Sequence, residues 1–293
     1  MKASHHKLVN EFTNYLITLG YSESVCYNCP NMVSQFLEHV DRPIKKITKV
    51  DVTEFFDHLR SMTSERTQRR LSNVHINGYV MALKRFSKFL FHMHSIDLTV
   101  EHLSYLKVDT PEKQILSLQQ IKSLFDACDN TKFGMRDKVM LALYYSCGLR
   151  RSEAIQVEIR DIDFTNNILF VRNGKGGKQR YVPFTDSTHQ ILTQYIDVGR
   201  KRLNRRNRLR NTLLIGKNGD RLKPQALQLR LNTLCKKAEI KQKVGLHTLR
   251  HSIATHLLMQ DMSIYKISEF LGHSSLESTQ IYTHIVENIG NKI

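Results

Sequence analysis

Over the first hundred positions the apolar residues recur at helical spacing, and in the second half of the chain two short β-rich stretches flank a turn that holds three glycines. Those two periodicities limit the fold to helices around one small hairpin. Leu8, Phe12, Tyr15, Leu16 and Leu19 form one stripe, ended by Gly20, and Val33, Phe36, Leu37 and Val40 form another. Pro30 is expected to break or begin a helix, because an interior proline removes a hydrogen bond. A third helix is predicted over 51–59 and a long fourth over 67–93, with Val80, Leu83, Phe86 and Leu90 facing inward. Residues 96–115 lose periodicity and read as a linker. Ser117, with Gln120 three residues on, has capping-box spacing and opens a second domain. There, 136–145 reads as a buried helix, 168–172 and 179–182 as a hairpin with a lysine at its tip, and 187–198, 224–238, 247–259, 264–271 and 276–282 as further helices. Asp161 and Asp163 alternate at strand spacing and are expected on a solvent edge. The fold class is mainly α with a small antiparallel β-sheet.

Charge narrows the partner. The 293 residues carry 44 Lys and Arg against 27 Asp and Glu, a formal net charge of +17, and such a field attracts polyanions, nucleic acid above all. The surplus is uneven, net +4 over residues 1–108 and net +13 over 109–293, so the second domain should provide most of the binding surface. Seven basic side chains and no acidic one lie within 200–210, which points to phosphate contact through Arg200, Arg202, Arg205 and Arg206. Lys84, Arg85 and Lys88 on the fourth helix offer a second cationic face. The longest apolar run, 139–145, is too short to span a bilayer and the N-terminus is polar, so a cytoplasmic protein without membrane contact is expected. Five scattered cysteines argue against a disulfide framework, and Cys26 and Cys29 have no second pair to close a zinc site.

His247-Thr248-Leu249-Arg250-His251, followed by Gly272-His273 and Tyr282, carries the chemistry. Residues three apart share a helix face, so His247 and Arg250 can address one ligand. A guanidinium beside a histidine makes a clamp for phosphate, since its planar fork matches two oxygens at once. Tyr282 would be the nucleophile. Clustered carboxylates of the kind a two-metal nuclease needs are missing from the sequence pattern, so no metal and no cofactor is expected.

Together, Arg150, Lys175, His247, Arg250, His273 and Tyr282 resemble the catalytic set of the tyrosine recombinase (phage integrase) family, most closely its Xer-like single-chain members. The surrounding words match too: Gly148-Leu149-Arg150-x-Ser152-Glu153, Gly174-Lys175-Gly176-x-Lys178-x-Arg180-x-Val182-Pro183, His247-x-Leu249-Arg250-His251 and Leu271-Gly272-His273. The resemblance implies a two-domain, C-shaped DNA clamp: a helical, SAM-like core-binding domain over 1–95, the linker, and an α+β catalytic domain over 116–293. It implies strand exchange between specific sites on double-stranded DNA through a 3′-phosphotyrosyl intermediate and a Holliday junction, by a homotetramer on two duplexes, with directionality open to an accessory DNA-bending protein. Arg150 and Arg250 would stabilise charge on the non-bridging oxygens, His247 and His273 would bond phosphate or assist proton transfer, and the hairpin's Lys175 would protonate the leaving 5′ oxygen. Glu153 is expected to buttress Arg150, and Arg172, Lys178 and Arg180 to contact DNA beside Lys175. Two rivals share parts of this reading: a type IB topoisomerase-like relaxase, with the same chemistry but no partner exchange, and a non-catalytic DNA-binding regulator on the same scaffold.

Overall fold

The computed structural model describes residues 3–63, 68–108, 114–172, 179–204, 209–273 and 279. The chain divides into two compact units, Met1–Pro111 and Glu112–Ile293.

The first unit is built from α1 (Ala3–Thr18), α2 (Glu23–Val40), α3 (Lys49–Ser61) and α4 (Asn73–His94). Each begins or ends where local chemistry dictates. Gly20, at φ +71°, turns the chain after α1. Thr48 and Asp51 cap α3 reciprocally, the Thr48 N–H donating to the Asp51 carboxylate at 2.8 Å. Ser72 accepts from the His75 N–H at 3.3 Å, so α4 starts at 73 and not at the expected 67. The apolar stripes meet in one core: Phe12 lies edge-on to Phe86 with centroids 5.3 Å apart, and Phe36 meets Phe55 at 5.2 Å.

Two expectations are corrected here. Pro30 lies inside α2, buried beside Cys29 and Val33. The lost backbone bond is outweighed by burial of the helix face to which it belongs. The stretch after α4 is also no free linker. Leu98, Val100 and Leu103 are buried in the first unit's core, and polar side chains of α4 take over the missing backbone partners. Ser87 donates to the Leu98 carbonyl at 2.8 Å, Asn77 both donates to and accepts from Leu106 (2.9 and 2.8 Å), and Asn73 donates to Lys107 at 2.7 Å.

The second unit contains α5 (Leu118–Asp126), α6 (Lys132–Leu141), α7 (Arg151–Gln156), the strands β1 (Ile162–Asp163), β2 (Ile168–Val171) and β3 (Arg180–Pro183), then α8 (Asp186–Gln194), α9 (Lys201–Leu203), α10 (Pro224–Lys237), α11 (Leu246–Met259) and α12 (Ile264–Leu271). The sheet is antiparallel in the order β1-β2-β3, with Leu169 opposite Val182 and Val171 opposite Arg180. The capping box at Ser117 and Gln120 forms as its spacing predicted. Leu143, Tyr144, Leu149, Leu169, Val182, Tyr195, Leu231 and Leu249 share the core. Residues 276–282, expected to be helical, lie outside the described residues apart from Thr279.

α6 widens into a π-helical turn over Ala142–Ser146, closed by Cys147 N–H to Ala142 O (2.9 Å). Leu149 N–H then reaches Leu143 O at 3.0 Å, and Gly148 takes φ +57° between them. A Cβ there would come within 2.8 Å of Leu271 and 2.9 Å of Phe270, so only glycine fits this close approach to α12.

Because Phe86 is fully buried against Phe12 and Phe89, Phe86→Ala is expected to destabilise the first unit by about 3–5 kcal/mol, read as an earlier denaturant midpoint of the full chain with an unchanged melting step for the second unit.

Candidate active site

Glu153 is the hub of a cluster drawn from four elements. Its carboxylate, 1 % exposed, accepts from the Arg150 backbone N–H at 2.8 Å and so starts α7 as an N-terminal cap. The Arg150 guanidinium returns on the same carboxylate at 2.6 Å and donates its other amino group to the Gly272 carbonyl at 2.5 Å. From β3, Arg180 lays a fork across both Glu153 oxygens at 3.0 and 2.8 Å, while its Nε donates to Phe270 O at 3.0 Å. From α11, Arg250 lies 3.9 Å from Glu153 and donates to the carbonyls of Gly148 (2.5 Å) and Leu271 (2.8 Å). Three guanidiniums thus face one carboxylate, a surplus of positive charge in a largely dehydrated place. Burial raises the Glu153 carboxyl, but the Arg180 fork and charge and the Arg150 N–H groups outweigh it and hold it at about 2.

His273 is set by the end of α12. Gly272 adopts φ +66° and the His273 N–H closes back on Ser268 O at 3.0 Å, a left-handed cap that only glycine enters freely. The imidazole Nδ1 lies 2.7 Å from the Thr279 hydroxyl. Burial, then the charges of Arg250, Arg150, His251 and Arg180, push its pKa down to about 4, so the ring is neutral at physiological pH. His247 is exposed in the first turn of α11, one turn before the buried Arg250. His256, further along that helix, meets the Tyr145 hydroxyl at 2.9 Å.

The structure therefore brings Arg150, Arg250 and His273 to one place, with the Glu153 carboxylate bonded to Arg150. Lys175, Lys178, Arg205, Arg206 and Tyr282 lie outside the described residues. Three cations expected to touch DNA are committed elsewhere. Arg200 is buried, its guanidinium donating to the carbonyls of Thr212, Leu209 and Arg210 at 2.6–2.9 Å, because the π-helical turn Tyr195–Arg200 aims it at the following loop. Arg172 bonds Asp161 at 2.6 Å and Glu158 at 3.0 Å, so Asp161 is a buried ion-pair partner and no solvent edge. Arg180, 8 % exposed, closes on Glu153. Arg202 and Lys88 are exposed, while Lys84 and Arg85 lie over the rings of Tyr105 and Tyr21 at 5.3 and 4.9 Å. Sequence reasoning missed the carbonyls of Gly148, Phe270, Leu271 and Gly272 as partners of the arginines. The paired glycines were their only signal. Among the described residues no group of His, Cys, Asp and Glu could hold a metal ion, all five cysteines are free thiols, and no helix is long and apolar enough to cross a membrane.

Glu153→Ala is expected to cost about 3–5 kcal/mol, the loss that follows when buried charges are left without their partner, measured by denaturant unfolding. His273 should titrate near 4 by NMR instead of 6.5. The unfolded ring takes a proton that the folded one refuses, so this group lowers stability as pH falls from 6.5 towards 4 and has no effect above 6.5. A His273 midpoint at or above 6.5 would contradict the charge surplus.

Residues 114–288 match the Phage integrase family. Along nearly its whole length the chain is similar to tyrosine recombinase XerC of Anoxybacillus flavithermus, 32% identical over 289 residues that cover 96% of this chain and 93% of that one. It is 30% identical to tyrosine recombinase XerA of Saccharolobus solfataricus over 289 residues, covering 95% and 88%. In fold it is similar to the XerH site-specific recombinase in its post-cleavage complex with a palindromic difH substrate, with a TM-score of 0.75 at 19% identity over 97% of this chain and 93% of that one. A lambda integrase dimer bound to a core site gives 0.71 at 14% identity, with 94% of each chain covered. With an arginine cluster in place on that fold and relatives matched over most of their length, the chain belongs to the phage integrase family and is a tyrosine site-specific recombinase, an enzyme that breaks and rejoins DNA strands.

Proposed function

We propose that the cluster around Glu153 holds the scissile phosphate of a duplex recombination site and that Tyr282 attacks it. The observation that supports this reading is the charge balance: three guanidiniums against one carboxylate, beside an imidazole that burial and these charges keep neutral. A phosphodiester brings the missing negative charge, and the transition state brings more of it on the non-bridging oxygens. Dehydrated, preorganised cations act most strongly there.

In the proposed step the Tyr282 oxygen forms a bond to phosphorus as the bond from phosphorus to the 5′ oxygen breaks. The phenol proton leaves to an imidazole, His273 or His247, and Lys175 gives a proton to the departing 5′ oxygen, which becomes a free hydroxyl. One phosphoester replaces another, so no ATP is consumed. A 5′-hydroxyl from a partner duplex then attacks the 3′-phosphotyrosyl bond and reverses the proton traffic. Two such exchanges pass through a Holliday junction and need four active sites, so a homotetramer on two duplexes in the cytoplasm is the acting species, with an accessory DNA-bending protein where direction is imposed. Lys84, Arg85 and Lys88 of the first unit and Arg202 of the second contact backbone phosphate. The rings beneath Lys84 and Arg85 fix their approach.

A nicked suicide duplex carrying the recombination site should trap a covalent adduct with the wild-type chain and none with Tyr282→Phe. An adduct retained in Tyr282→Phe would remove that residue from the reaction. Arg150→Ala or Arg250→Ala should lower the cleavage rate by about 10²–10³ with much of the duplex affinity kept, and affinity itself should fall steeply with added salt. Relaxation of supercoiled plasmid without recombinants from paired sites would favour a relaxase instead.

A further inference from the structure

Arg180 stands out because it is a cation of the β-hairpin that does not point into solvent. It is the first residue of β3, opposite Val171 in the last described rung of the sheet. Its three donor contacts run to two different parts of the site: two to the Glu153 carboxylate, and one to the carbonyl of Phe270 at the end of α12. Gly272 lies so close that a Cβ on it would meet Arg180 Cδ at 2.8 Å and Nη1 at 2.9 Å. The side chain is therefore packed flat against the turn that delivers His273, while its fork fixes the carboxylate that orients Arg150.

We infer that Arg180 is a positioning residue for the cleavage step: it holds Glu153, and through it Arg150, in one rotamer and locks the Phe270–His273 turn against β3. This rests on the proposed reading of Arg150 as a phosphate ligand. The chemistry requires an arginine. A bidentate fork fits both carboxylate oxygens and leaves Nε aimed at a carbonyl, whereas a lysine supplies one point charge on a flexible stem and cannot satisfy two oxygens and a carbonyl in fixed directions. A cationic site with a loose second layer loses rate before it loses affinity, since a displacement of about 1 Å costs on the order of 10²-fold in rate.

The full-length protein with its duplex site provides the test. In Arg180→Lys, single-turnover cleavage should fall on the order of 10²-fold, with duplex affinity and the slope of log affinity against log salt unchanged. Acting through Glu153, the loss should be non-additive: Arg180→Lys with Glu153→Gln should be no slower than the slower single variant. Wild-type cleavage in Arg180→Lys overturns the inference, as does additivity, and so does a salt slope reduced by about one, the mark of a direct phosphate contact. The wild-type chain gives a readout that no substitution can compromise. The Arg180 Nε–H, observed by NMR, should be protected from exchange and unmoved when duplex is added, and a shift or loss of protection on binding overturns the inference. Arg150→Lys serves as the control: normal cleavage in that variant defeats the proposed phosphate clamp and this inference with it, whereas slow Arg150→Lys beside normal Arg180→Lys defeats this inference alone.

Discussion

The buried carboxylate of Glu153 is the constraint on which the site depends. Left to themselves, the guanidiniums of Arg150, Arg180 and Arg250 would repel one another, and burial would add a desolvation cost to each. Glu153 offsets part of both and leaves the remainder of the charge in place. Full neutralisation would give a stable salt-bridge network with little pull on an incoming phosphate. The same group also starts α7 by accepting the Arg150 N–H, so a helix cap and a ligand-binding arginine are fixed by one side chain. On the proposed reading, stability and function draw on the same atoms, and the surplus charge is kept for the phosphate.

Backbone carbonyls perform the rest of the positioning. Arg250 and Arg150 each reach a carbonyl beside a glycine in the left-handed region, Gly148 O and Gly272 O. Neither carbonyl could be presented by an ordinary helix interior, where it would be bonded four residues on. The π-helical turn after α6 and the cap that ends α12 free them for the arginines. Two interruptions of regular structure therefore create acceptor sites, through which Arg250 ties α11 to the end of α6 and Arg150 ties the start of α7 to the end of α12. This gives the glycines a structural reason to recur beside the arginines.

Much of this was legible in the sequence where the signal is local. The capping box at Ser117, the stripes of Phe12, Phe36 and Phe86, the two β-rich stretches that pair, and the contact of Glu153 with Arg150 all follow from local spacing. What the sequence hid was the tertiary destination of long cations. Arg172, Arg180 and Arg200 look alike in a basic chain, yet each ends on an acceptor brought close only by folding: Asp161 and Glu158, Glu153, and the carbonyls of 209–212. Pro30 and the stretch 96–106 were misread for a related reason, because burial and the side-chain amides of α4 replace backbone partners that local pattern cannot anticipate.

The neutral state of His273 follows from the same electrostatics and has a direction built into it. Burial and four nearby cationic or imidazole groups, Arg250, Arg150, His251 and Arg180, disfavour its protonation. An anion placed among them lowers the local positive potential, so the ring would be a better proton acceptor with phosphate bound than without it. A base already protonated in the free protein would have to lose its proton first, and one in a neutral environment would gain nothing from substrate. On the proposed reading this couples the ring's basicity to occupancy: burial first, and then the arginines that would hold the phosphate, keep the histidine unprotonated in the free protein.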